Sequence, residues 1–198
     1  MTILLRGLIT LTCILIAGCA SNNVGKNYLL DSGSGKGLLI GSLVQEGHLT
    51  SNSLFFREIG INKNKSRISM NRMFLPKGIY GSDFEDSEGK LFVVELDEGQ
   101  YEFYSWMMHS GSWSIEPDSD FSRKFEIKSG EATYVGEYRL KNIMGKNLFG
   151  VSIVSGASLI VDDKYSRDFP LLSSKINTAR LDKINMSIDT ETISKQDF

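Results

Sequence analysis

Few side chains in this 198-residue chain have the means for acid–base or covalent chemistry. Its imidazoles are His48 and His109. Neither lies in a Gly-x-Ser-x-Gly, His-Glu-x-x-His or usable Ser-x-x-Lys context, the arrangements that pair a nucleophile with a base or build a metal site. His109-Ser110-Gly111-Ser112 reads as a loop after a strand. A non-enzyme is therefore expected, with no catalytic residue and no cofactor; a hydrolase would need buried or strained polar groups in a cleft. The carboxylates are more suggestive, because a hard cation such as calcium takes several oxygen ligands on a turning loop. Asp83, Glu85, Asp86 and Glu88 precede Gly89, and Glu116, Asp118 and Asp120 form a second group. Their spacing is not that of an EF-hand, so no metal site is expected; calcium binding is the alternative if Asp86 and Asp118 converge. Trp106, Trp113, Tyr101 and Tyr104 are read as core, as aromatics of β folds usually are. Trp113, in a Ser/Gly-rich stretch, is the member expected to be exposed, where it would suit stacking on a glycan. The candidate binding loops are thus Gly81 to Gly89 and Gly111 to Asp120, carrying Asp83, Asp86, Trp113, Asp118 and Asp120.

Two cysteines complete the inventory, and Cys19 is informative by position. It ends an apolar run that begins at Ile3, is preceded by Arg6 and is followed by Ser21-Asn22-Asn23. Such a segment is an export signal too short for a stable membrane span. Leu15-Ile16-Ala17-Gly18-Cys19 resembles the bacterial lipobox, which implies cleavage before Cys19 and acylation of the new N-terminus, palmitate included. Ala20 rather than aspartate in the next position implies outer-membrane delivery in a Gram-negative cell, facing the periplasm. Several acyl chains anchor firmly because each buried methylene adds about 0.8 kcal/mol. Removal of residues 1–18 takes Arg6 and Cys13, leaving 21 basic against 24 acidic residues and no cysteine besides Cys19. That balance excludes a nucleic-acid binder and a polybasic membrane patch, and the folded part must be stable without disulfides. Expected partners are the membrane, through the N-terminal lipid, and an envelope protein or glycan.

The elements that position these residues are strands. With 19 glycines, three prolines and 10% aromatics, the chain suits strands and turns. Residues 19–37 read as a lipidated flexible tether, since Ser21-Asn22-Asn23 and Asp31 to Gly37 bury nothing. Fully stretched at about 3.4 Å per residue, it reaches about 60 Å. Gly33-Ser34-Gly35-Lys36-Gly37 matches a phosphate loop only in part, lacking the earlier glycine and carrying Gly37 where Ser or Thr is required. Residues 38–188 read as the domain. Strands are expected over Leu38 to Val44, Ser53 to Ile61 and Ile68 to Phe74. Lys90 to Leu96 and Gln100 to Met108 then read as a hairpin across Asp97-Glu98-Gly99. Phe121 to Ile127 and Ala132 to Leu140 read as a second, with Phe121, Arg123, Phe125 and Ile127 on one face and Tyr134, Gly136 and Tyr138 together on another. Leu148 to Ser155 and Ser158 to Val161 read as a third, across Gly156-Ala157. Ser166 to Ile176 has helical spacing, with Asp168 as its cap and Pro170 in its first turn. A last strand is expected within Arg180 to Ile188, and residues 189–198 read as a disordered tail.

Two stretches carry a resemblance: Gly89-Lys90-Leu91-Phe92-Val93-Val94-Glu95-Leu96-Asp97-Glu98-Gly99-Gln100-Tyr101-Glu102-Phe103, and Phe125-Glu126-Ile127-Lys128-Ser129-Gly130-Glu131-Ala132-Thr133-Tyr134-Val135-Gly136-Glu137. The first is similar to a hairpin of transthyretin-like and carboxypeptidase-regulatory-like sandwiches, with Asp97-Glu98 where many members carry a proline. The second is similar to its neighbour in uncharacterised Gram-negative lipoproteins. The resemblance implies an all-β, antiparallel sandwich, transthyretin- or Ig-like, without a known catalytic residue. Together with the tether and one short C-terminal helix, this gives the expected molecule: a lipid-anchored, non-enzymatic binding or accessory module of the cell envelope, with glycan or calcium binding as the alternative.

Overall fold

The computed structural model describes residues 24–47, 51–60, 65–70, 81–110, 113–178, 181 and 183–196. Cys19, His48 and the expected strand end at 71–74 lie outside them. The fold is an all-β sandwich of two mostly antiparallel sheets. One sheet contains β1 (Lys36–Glu46), β4 (Glu88–Asp97), β8 (Ala132–Lys146), β9 (Ser152–Asp162), β10 (Ile184–Met186) and β11 (Glu191–Gln196). Its order is β11-β9-β8-β1-β4, with β10 also on β8. The other holds β2 (Ser51–Glu58), β3 (Lys65–Met70), β5 (Gly99–Ser110), β6 (Trp113–Ile115) and β7 (Arg123–Ile127), ordered β3-β2-β5-β6 with β7 also on β5. β1 and β10 run parallel to β8.

β1 shows why its sequence is a continuous apolar run, for it is buried on both faces. Leu39 and Leu43 face the second sheet and meet Leu54, Phe56, Phe103, Trp106, Phe125 and Tyr138. Leu38 and Ile40 face outward, where Leu91, Val93, Tyr134, Leu172 and Ile176 form a second apolar layer. That layer is covered by α1 (Tyr165–Leu172) and by Val24, Tyr28 and Leu30.

Several local expectations are corrected. β4 and β5 do not form a hairpin: β4 pairs with β1, β5 with β2, and Asp97-Glu98-Gly99 carries the chain from one sheet to the other. Likewise β7 pairs with β5 while β8 lies in the opposite sheet. A tight turn serves a hairpin or a sheet-to-sheet corner equally well; partner strands distant in sequence decide between them. Gly156-Ala157 is not a turn but lies inside β9, where Ala157 faces the core; the β8–β9 turn is at 147–151. Gly136 sits at a bulge with φ +91°, so Tyr134 and Tyr138 point to opposite faces of the sheet. A Cβ at Gly136 would lie 2.8 Å from the Asp162 carbonyl oxygen.

Part of the expected tether is ordered. The Val24 N–H donates to the Val93 carbonyl at 3.0 Å, and Tyr28 and Leu30 pack on the outer layer. Residues 191–196 are not a disordered tail but a strand along β9. Exposed β9 edge groups find backbone partners there, which the polar composition of the segment conceals. Helix α1 ends earlier than expected, at Leu172, and Asp168 does not cap it. Asp163 accepts from the Tyr165 N–H instead, and Asp168 is buried inside the helix.

Candidate functional site

Of the residues chosen from sequence, Asp83 is engaged in structure: its carboxylate accepts from the Leu91 N–H at 2.9 Å and from Lys175 Nζ at 2.8 Å. Asp86 is exposed and accepts from the Ser87 hydroxyl at 3.1 Å. Trp113 lies on the short edge strand β6 and is 36% exposed, whereas Trp106, Tyr101 and Tyr104 are buried. Asp118 is exposed, and Asp120 lies 3.4 Å from Arg57 Nη1. The first pair belongs to the loop before β4 and the second to the chain between β6 and β7, in different sheets. Among the described residues no three carboxylate, imidazole or thiol side chains converge. His109 is exposed on β5 opposite Ser114.

The largest polar cluster joins α1 to its sheet. The bulge at Gly136 turns Glu137 toward the helix, where both of its oxygens meet guanidinium groups: Arg167 Nη1 at 2.6 Å and Arg139 Nη2 at 2.7 Å. Arg167 also donates to Asp168 Oδ1 and, at 3.0 Å, to the Ser42 hydroxyl, while the Phe84 ring centre lies 3.8 Å from its Cζ. Asp168 Oδ2 accepts from Ser42 at 2.7 Å and from Tyr134 at 2.8 Å. Burial, then the Asp168 charge, pushes the Tyr134 hydroxyl well above its ordinary range, so it remains a donor. Both carboxylates are fully paired, which fits a lock between helix and sheet rather than a ligand site.

A different arrangement opens at the edge where the two sheets part. β7 alternates Arg123, Phe125 and Ile127 inward with Lys124 and Glu126 outward, which places a cation in an apolar row. The Arg123 guanidinium is buried between the sheets. Its Nη1 donates to Glu191 of β11 at 2.9 Å, and the guanidinium neighbours the Tyr138 hydroxyl. Its Nε–H is buried and has no acceptor among the described residues. Burial raises the Tyr138 pKa, while the adjoining guanidinium pulls it the other way. Beside these groups lies a cavity of about 360 Å³, lined by Arg123, Lys124, Phe125, Val135, Tyr138, Ile188 and the carboxylate-bearing Asp189 among others. The segment from Met186 to Asp189 forms its outer wall, held by the Ser187 N–H on the Tyr134 carbonyl at 2.9 Å. A buried donor with no protein acceptor among the described residues, next to a cavity whose lining is mainly polar, offers the Arg123 side chain to an anionic group. Sequence reading missed this site, although Arg123 was legible as an inward residue. The missing signal was its company, since Tyr138 comes from the facing sheet and Glu191 lies 68 residues away.

No protein-family model matches the chain, and no curated protein matches it. Among solved structures it has a partial likeness to a leucine-rich repeat protein from Bacteroides thetaiotaomicron VPI-5482, at 14% identity and a TM-score of 0.31. The match covers 53% of this chain and 14% of that one.

Proposed function

We propose that the protein is a lipid-anchored, non-enzymatic binding module of the bacterial cell envelope. It is held in the outer membrane through acylated Cys19, and it receives in the inter-sheet cleft an anionic ligand with an apolar body. One observation carries the reading: the buried Arg123 Nε–H, without a protein acceptor, beside a cavity of about 360 Å³. That volume lies within the range of about 300–1,000 Å³ common to small-ligand sites. A carboxylate or phosphate on the ligand would compete with Glu191 for the Arg123 guanidinium and would draw on the unpaired Nε–H once the side chain turns toward the cavity, against the nearby Asp189 charge. Phe125, Val135 and Ile188 offer apolar contact to the remainder. The export signal and the small residues before Cys19 support the anchor, and the transthyretin-like resemblance supports an accessory rather than catalytic role.

Decanoate is a suitable probe, because it combines a carboxylate with a flexible apolar chain. Calorimetry should detect saturable binding to the full mature protein, with decanol binding at least about tenfold more weakly for want of the charge-assisted bond. Arg123→Gln should remove that discrimination. Equal affinity of the wild-type protein for acid and alcohol would refute an anion site at Arg123.

A further inference from the structure

β8 and β9 run past the rest of their sheet. β1 ends opposite Lys141 and β11 ends opposite Gly156, the partner of Ile143, so among the described residues Met144 to Lys146 and the returning Ser152 to Val154 form a ribbon standing roughly 10 Å clear, at about 3.3 Å per residue. At its tip Leu148 is 101% exposed, Phe149 88% and Val151 57%, with Met144 and Ile153 half-exposed behind them. Large apolar groups are seldom gathered on one projecting turn without something to cover them.

Most N–H groups of this turn are already paired within it. Asn147 Oδ1 accepts from the N–H groups of Phe149 and Val151 at 2.9 and 3.0 Å. The Asn147 N–H donates to the Val151 carbonyl, and the Gly150 N–H donates to the Asn147 carbonyl. Gly150 supplies the positive φ of +74° that lets the chain close so tightly. Those bonds lower the cost of placing irregular backbone near lipid, and the carbonyls at the very tip keep their water at the interface rather than in the hydrocarbon. Lys146, exposed at the end of β8, flanks the tip. The acidic loop before β4 lies at the same end of the sheet and is tied down there, with Phe84 packed on Arg167 and Asp83 paired with Lys175.

We propose that this tip dips into the interface of the bilayer that carries the lipid anchor, as a second point of membrane contact. The inference rests on acylation at Cys19. Four residues separate Cys19 from Val24, which is fixed on β4, so across five Cα–Cα steps Val24 stays within about 17 Å of the acylated residue. Such a tether keeps the tip at high effective concentration near lipid, which matters because three side chains are too small an anchor alone. Val24 lies at the level of Ile40 and Tyr134, about 40 Å along the strands from the tip. Cys19 and Phe149 therefore reach one surface only if the sandwich leans over, with its strands oblique to the membrane.

The mature chain has no thiol besides acylated Cys19, so Phe149→Cys and Glu85→Cys each give a single nitroxide site on the full lipoprotein. Both native residues are exposed, and unchanged thermal midpoints would confirm intact folds. In vesicles of phosphatidylethanolamine and phosphatidylglycerol, the label at 149 should collide with oxygen several-fold more, relative to a nickel chelate, than the label at 85. Equal ratios at the two sites would overturn the assignment. So would an immobilised label at 149 shielded from both reagents, which would mean that a second copy or another protein covers the tip. Flotation reads the anchor separately. Protein that floats with a water-exposed tip overturns the tip alone, and protein that remains soluble overturns both.

Discussion

Arg167 on the helix and Glu137 on the sheet meet at 2.6 Å, and the Glu137 side chain is wholly buried while that of Arg167 keeps about a fifth of its surface in water. Their unequal burial gives an asymmetric expectation. Arg167→Met leaves Glu137 and Asp168 buried with fewer donors and should cost about 3–5 kcal/mol. Glu137→Gln leaves two arginines that can turn to solvent and should cost less, about 1–3 kcal/mol. Urea unfolding of the two variants checks the order, and equal costs would argue against the helix lock.

Cys19→Ser should leave an unprocessed precursor or a soluble protein without label from a clickable fatty acid. Membrane retention with processing and labelling would place the anchor elsewhere.

The core makes a contrasting pair of expectations. Phe103 is fully buried and packs on Phe56, Phe125 and Tyr138, so Phe103→Ala should cost about 3–5 kcal/mol. Gly136→Ala introduces a Cβ at a positive φ, 2.8 Å from a carbonyl oxygen, and should cost about 1–3 kcal/mol. Chemical denaturation measures both.

These residues also mark what the sequence made legible. The strand over Leu38 to Val44 was readable because a strand buried on both faces is apolar throughout. Tyr101, Phe103, Phe125 and Ile127 were readable as core because their alternation is undisturbed. Alternation fails at bulges: Tyr104 is the extra residue where β5 passes Phe55 and Phe56, so Trp106 rather than Ser105 continues the inward row. Gly136 does the same in β8, and it is that shift which brings Glu137 to Arg167. Strand partners were unreadable for another reason. The chemistry of Asp97-Glu98-Gly99 and of Lys128 to Glu131 fixes that the chain turns, not which sheet it enters. Arg123 stood plainly in an apolar row, but its meaning depends on Tyr138 and Glu191, which only the folded topology brings to it.

Acid and base should weaken the fold from opposite sides. The Glu95 carboxyl is held below its ordinary pKa, first by the hydrogen bond from Lys36 and then by that from Tyr28; Ser122 and then Arg57 do the same for Glu102, against burial. A lowered folded pKa gives stability that is present above the unfolded value of about 4.3 and is lost as pH falls through the folded one. The Tyr101 hydroxyl is pushed up to about 12, chiefly by burial, so its contribution is present below the unfolded value of about 10. It disappears as pH climbs through the folded one. Urea midpoints should fall on both limbs, with Glu102→Gln flattening the acid limb; an unchanged acid limb would deny these carboxylates their role.

The central claim is that Arg123 receives an anionic ligand between the sheets, and its own Nε–H resonance reports on that most directly. In nitrogen-15-labelled protein, decanoate should move the Arg123 Nε–H signal downfield in a saturable manner, with Tyr138 and Ile188 shifting alongside. Decanol should leave the Nε–H signal in place. An Arg123 Nε–H resonance that stays fixed while decanoate saturates the protein would contradict the account.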